Sequence, residues 1–126
     1  MLRFEPLTEE LVRRYYGKPQ PYTMRGQALM RGEEILAVFG IYRDQGFEIA
    51  FSHAKDGFWQ EPPPPWFKRI IVAAMHRILD MAKPDKPLYA YADPERPNSG
   101  RLLEHFGFES LQNGAYKWQP HCPGSA

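Results

Sequence analysis

Glu48, His53 and Asp56 are side chains that could take up a proton, and they lie on or just after one predicted strand. Tyr89, Tyr91 and Tyr116 could supply one, although each also reads as a strand aromatic packed on a sheet. His53 and Asp56 are ligand types as well. Two such residues without a cluster do not define a metal site, and none is expected. His76 and His105 fall among helix residues with polar neighbours and read as partly exposed structural histidines.

Anion chemistry would fall to Lys55, Lys68 and Arg69, which flank the start of a long predicted helix, where solvated surface is the alternative reading. Between them, Phe58, Trp59 and Trp66 bracket the run Pro62-Pro63-Pro64-Pro65. Stiff extended backbone beside large rings suits protein recognition, since little conformational entropy is lost on binding. The rings could equally fold back over the open side of a sheet.

The elements that must position these groups follow from pattern. Leu2-Arg3-Phe4-Glu5 alternates and is stopped by Pro6, which predicts a short first strand. Thr8 is a helix cap with Glu9 and Glu10 in the first turn, so residues 8–16 are expected to be helical until Gly17. Thr23 to Met30 and Ile35 to Tyr42 flank a glycine-containing reversal, and Asp44-Gln45-Gly46 turns the chain again into Phe47 to Ser52. These predict three adjacent antiparallel strands. Lys55 to Pro65 must be an extended loop.

From Trp66 to Met81, Phe67, Ile70, Ile71, Ala74, Met75, Ile78 and Leu79 recur at helical spacing and predict the main core helix. Leu88 to Ala92 reads as a buried strand, and Asn98 or Ser99 as the cap of a last helix that ends at Gly107. Phe108 to Leu111 and Ala115 to Trp118 flank Asn113-Gly114, a strong hairpin signal.

Size and charge narrow the classes. The 126 residues suit one domain, expected over 1–120 with a flexible C-terminal tail at 121–126. A net charge of +1 gives no field to draw nucleic acid or anionic lipid, so neither is an expected partner. The apolar stretch Ile70 to Met75 is too short to span a membrane, and the first residues carry no secretory pattern, so a cytoplasmic protein is expected. Cys122 has no intrachain partner for a disulfide.

This order of elements resembles the GNAT acyltransferase family from Leu2 to Trp118. Asn98-Ser99-Gly100-Arg101-Leu102-Leu103-Glu104-His105-Phe106-Gly107-Phe108 is similar to that family's late helix ending in Gly-Phe. The resemblance implies an α+β fold (mixed α/β), with a central, mostly antiparallel sheet of six to seven strands and about three helices. It also implies acetyl-CoA as cofactor, its pyrophosphate held by backbone N–H groups of a glycine-rich turn at the start of the long helix.

The chain departs from that pattern twice. Four prolines stand where the turn should donate, and Glu61 adds negative charge beside them. Leu103 stands where many family members carry the tyrosine that protonates the leaving thiolate, and leucine has no proton to give.

A non-catalytic structural or interaction protein is therefore expected, with a protein partner or self-association and no cofactor. Its compactness and these departures also resemble small GNAT-like proteins of tailed phages, some of them virion-associated. The alternative is an acetyl-CoA-dependent N-acetyltransferase with an atypical cofactor site, for which Glu48, His53 and Tyr116 are the catalytic candidates. Lys55, Lys68, Arg69 and Asn98 would then be the cofactor-binding ones.

Overall fold

The computed structural model describes residues 2–54, 66–82, 85–92 and 99–119, the Phe67 side chain excepted. The loop from Lys55 to Pro65 and the tail 121–126 lie outside them. Among the described residues there are seven strands: β1 (Leu2–Pro6), β2 (Thr23–Arg31), β3 (Glu34–Asp44), β4 (Phe47–Ala54), β5 (Leu88–Tyr91), β6 (Glu109–Ser110) and β7 (Ala115–Trp118). Three helices join them: α1 (Glu9–Tyr16), α2 (Phe67–Met81) and α3 (Ser99–His105). One sheet holds every strand in the order β1-β2-β3-β4-β5-β7-β6, antiparallel except where β4 meets β5. The fold is the GNAT-like α+β arrangement that the order of elements implied.

Local chemistry sets the boundaries. The Thr8 hydroxyl accepts from the Leu11 N–H at 3.2 Å to start α1, and the Gly17 N–H closes it on the Arg13 carbonyl at 2.8 Å. Helix α3 ends in a Schellman motif. Gly107, at φ 94°, donates to the Glu104 carbonyl at 3.0 Å, and Phe108 donates to the Leu103 carbonyl at 3.0 Å. Both Leu103 and Phe108 are buried, so the exit from the helix is fixed by the core it enters. Positive φ at Gln45 and Gly46 gives that two-residue turn the twist that a hairpin needs, and Asn113 and Gly114 also take positive φ in the three-residue reversal between Leu111 and Ala115.

The sheet is covered differently on its two faces. Helices α2 and α3 share one face, where Phe39, Ile41, Met75, Ile78, Leu88 and Leu103 form one cluster. Helix α1 covers the other face over β2 to β4, with Leu11 against Ala28, Met30, Val38 and Phe51. Burying each such side chain contributes about 2 kcal/mol. A register shift between Leu29 and Met30 puts Leu36 and Ala37 together with Leu29 near Ile70 of α2, which frees Ile35 for the α1 side.

One expectation changes here. The strand expected to be buried from Leu88 to Ala92 ends at Tyr91, with Leu88 and Ala90 buried but Tyr91 64% exposed. The described helices that pack on Leu88 and Ala90, α2 and α3, lie on one face, and the tyrosines point to the other.

Candidate functional site

Strands β4 and β5 pair in parallel at only two positions, Glu48 with Leu88 and Ile49 with Tyr89. Beyond Ile49, β4 runs on to Ala54 beside β3, whereas Ala90 and Tyr91 of β5 stay with β7. The strands therefore part and leave a wedge in the middle of the sheet. The two-residue turn before β4 makes Asp44 and Phe47 a hydrogen-bonded pair, so Ile49, Phe51 and His53 continue the bonds to β3. The N–H and C=O of Ser52 consequently point into the wedge, where no described strand meets them.

Glu48 sits at the closed end of this wedge and is 3% exposed. Its carboxylate accepts from Arg25 at 2.7 Å and from Arg43 at 3.4 Å, and Arg25 also donates to the Met81 carbonyl at 3.2 Å. Burial pushes the carboxyl pKa up, but the two guanidinium bonds outweigh burial and hold it below the usual value. A carboxylate so engaged ties β2, β3 and β4 to the end of α2. It has little capacity left to take a proton.

His53 points to the opposite face, since residues of odd number on β4 face α1 and those of even number face α2. Its Nδ1 lies 2.6 Å from the Tyr16 hydroxyl at the end of α1. Burial drives the histidine pKa down and the Tyr16 pKa up to about 12, with Tyr15 adding to the latter. Both groups are thus neutral near pH 7. The phenol, the stronger acid, donates to Nδ1, which leaves the proton of the neutral ring on Nε2.

Tyr116 faces α3 rather than the wedge. Its hydroxyl comes within 2.5 Å of where a Cβ on Gly100 would stand, so this helix turn closes on the ring only because residue 100 is glycine. Tyr89 stacks edge-on with Phe47 at 5.6 Å on the other face, and Tyr22 lies 4.8 Å from Tyr42 nearby. Phe47 is 55% exposed and Tyr91 more so, which makes this end of the sheet an open aromatic surface.

Lys68 and Arg69 are exposed in the first turn of α2, and Trp66 before it is half exposed. Helix α2 starts without a side-chain cap. Lys55, Asp56, Phe58, Trp59 and Asn98 lie outside the described residues. No three His, Cys, Asp or Glu side chains gather among the described residues, and no described helix is long and apolar enough to cross a membrane.

The structure brings together Glu48 with Arg25 and Arg43, and His53 with Tyr16, but it sets these two groups on opposite faces. Arg25, Arg43 and Tyr16 were not among the sequence candidates. Arg43 carried a signal, an opposite charge directly across a two-residue turn from Glu48. Arg25 and Tyr16 carried none.

No protein-family model and no curated protein matches the sequence. A similar solved structure is that of a point mutant of the AtaT toxin bound to the C-terminus of the antitoxin AtaR. It shares 14% sequence identity over 94% of this chain and 91% of that one, with a TM-score of 0.52. At that identity the likeness concerns the fold, and the fold it supports is GNAT-like.

Proposed function

We propose that the chain is one GNAT-like domain over residues 1–120 that works by binding another protein rather than by transferring an acyl group. The observation that carries this reading is the fate of the proton-transfer candidates. Glu48 is held between two arginines, and Tyr116 is packed against Gly100. The broad exposed aromatic surface around Phe47 and Tyr91 supports it too. The partner is a second copy or a different protein, with a virion component as one form and a short peptide as another. The AtaT structure, with its bound antitoxin C-terminus, offers a precedent for the last. The cytoplasm is the proposed place of action.

Calorimetry with acetyl-CoA at millimolar concentration tests this reading, together with light scattering on a sizing column. No heat of binding is expected from the cofactor. Saturable binding at micromolar concentration would reverse the conclusion.

The second reading is an N-acetyltransferase with an unusual cofactor site, and the wedge between β4 and β5 favours it. An acetyl-CoA pantetheine would pair along β4, cations such as Lys68 and Arg69 would replace the backbone cradle, and His53 would stand beside the acyl group. An assay of coenzyme A release with a panel of amines separates the two readings.

A further inference from the structure

Among the described residues, the edge of β4 beyond Ile49 has no strand partner, and it lies in the middle of the sheet, not at its rim. Glu48 and Ile49 hold their partners in β5, and three residues beyond Ile49 the N–H and C=O of Ser52 face the gap. Backbone groups at a strand edge call for amide partners spaced at about 3.4 Å per residue, which an extended peptide supplies. The flanks of the gap are also in place. On the α2 side Ser52 and Ala54 present small side chains beside Ile70 and Ala74, which keep the edge clear. On the α1 side Phe51 packs near His53, whose Nδ1 is occupied by Tyr16 and whose Nε2 has no partner among the described residues.

We infer that the wedge takes one extended peptide segment of a partner protein as an added strand along β4, with Ser52 as its central backbone contact. The peptide alternates, so one set of its side chains lies over the small residues of the α2 side and must itself be small. The other set meets the Nε2–H of His53, which suits a carboxylate or amide oxygen. This inference rests on the protein-binding reading and names the form of the partner.

The test uses the full chain and random twelve-residue peptides displayed for selection, with the recovered peptides resynthesised and followed by amide hydrogen exchange. Protection of the Ser52 and Ala54 amides is expected, together with alternating small residues in the selected peptides. Ser52→Pro removes the N–H that faces the gap without breaking a β3–β4 bond, and should weaken binding about tenfold, the worth of one buried hydrogen bond. Because proline could disturb the strand, Ser52→Arg provides a second variant that fills the gap while keeping the N–H. Its binding should fall by at least as much, with thermal melting close to that of the parent.

Arg31→Ala, an exposed change at the end of β2 away from the wedge, should bind the same peptides unchanged. Failure to recover any peptide, or peptides that protect the surface around Phe47 and Tyr91 instead, would overturn the inference and leave the protein-binding reading standing. Coenzyme A protecting Ser52 at micromolar concentration would overturn both.

Discussion

Arg25 and Glu48 meet at 2.7 Å across three strands of sheet, with the carboxylate 2% and the guanidinium side chain 36% exposed. Glu48→Gln keeps the shape and loses the charge. It should cost about 2 kcal/mol, below the range for fully buried pairs because the arginines can turn to water. Urea denaturation checks this. The sign of its pH dependence is also fixed. The folded pKa lies below the ordinary 4.5, so the pair's stabilisation is complete above that value and is lost as pH falls through the lower folded pKa. The parent should therefore lose melting temperature on acidification more steeply than Glu48→Gln.

Gly100 and Tyr116 form a pair whose roles can be read by a double-mutant cycle. Gly100→Ala alone brings a methyl against the Tyr116 hydroxyl and should be neutral or destabilising, despite the better helix propensity of alanine. Combined with Tyr116→Phe, the same substitution should gain about 1 kcal/mol relative to Tyr116→Phe alone. Additive effects would mean that the hydroxyl does not sit over α3.

Gly26 and Gly40 are cross-strand partners whose backbones touch. A Cβ at Gly26 would meet the Gly40 Cα at 2.7 Å and would collide harder still with the Phe39 carbonyl oxygen. Neither obstacle is the end of a flexible side chain. Gly26→Ala should therefore cost about 3 kcal/mol, visible as a large fall in the denaturation midpoint.

The Tyr16–His53 bond makes a spectroscopic prediction. Nitrogen NMR of the parent near pH 7 should find His53 neutral with its proton on Nε2, and its titration midpoint should lie below 6.5. Tyr16→Phe removes the phenolic donor, and both neutral tautomers should then be populated. A single unchanged tautomer would show that Tyr16 does not select it.

What the sequence made readable was the chemistry that acts within a few residues. Thr8, Gly17, Gly107 and Asn113-Gly114 each stop or turn the chain by a preference of their own backbone or side chain, and the elements between them followed. Alternation along Phe47 to Ser52 separated the faces correctly. It did not say which face would be buried, because that depends on where α2 lands, and the outcome was a buried Glu48 beside an exposed Phe47. Arg25 finds Glu48 over 23 positions and Tyr16 finds His53 over 37, through strand register and helix docking that no local pattern encodes. The divergence of β4 from β5 belongs to the same class, since it arises from the partner each strand keeps.

The placement of β7 between β5 and β6 bears on how the chain is made. During synthesis β5 emerges with one neighbour, β4, at just two positions, and its other edge waits until residues 115–118 have left the ribosome. For that interval the growing chain carries an exposed hydrogen-bonding edge next to Leu88 and Ala90, which are buried in the finished protein. The Asn113-Gly114 reversal is what shortens the exposure, by delivering the last-made strand to its slot as soon as it appears.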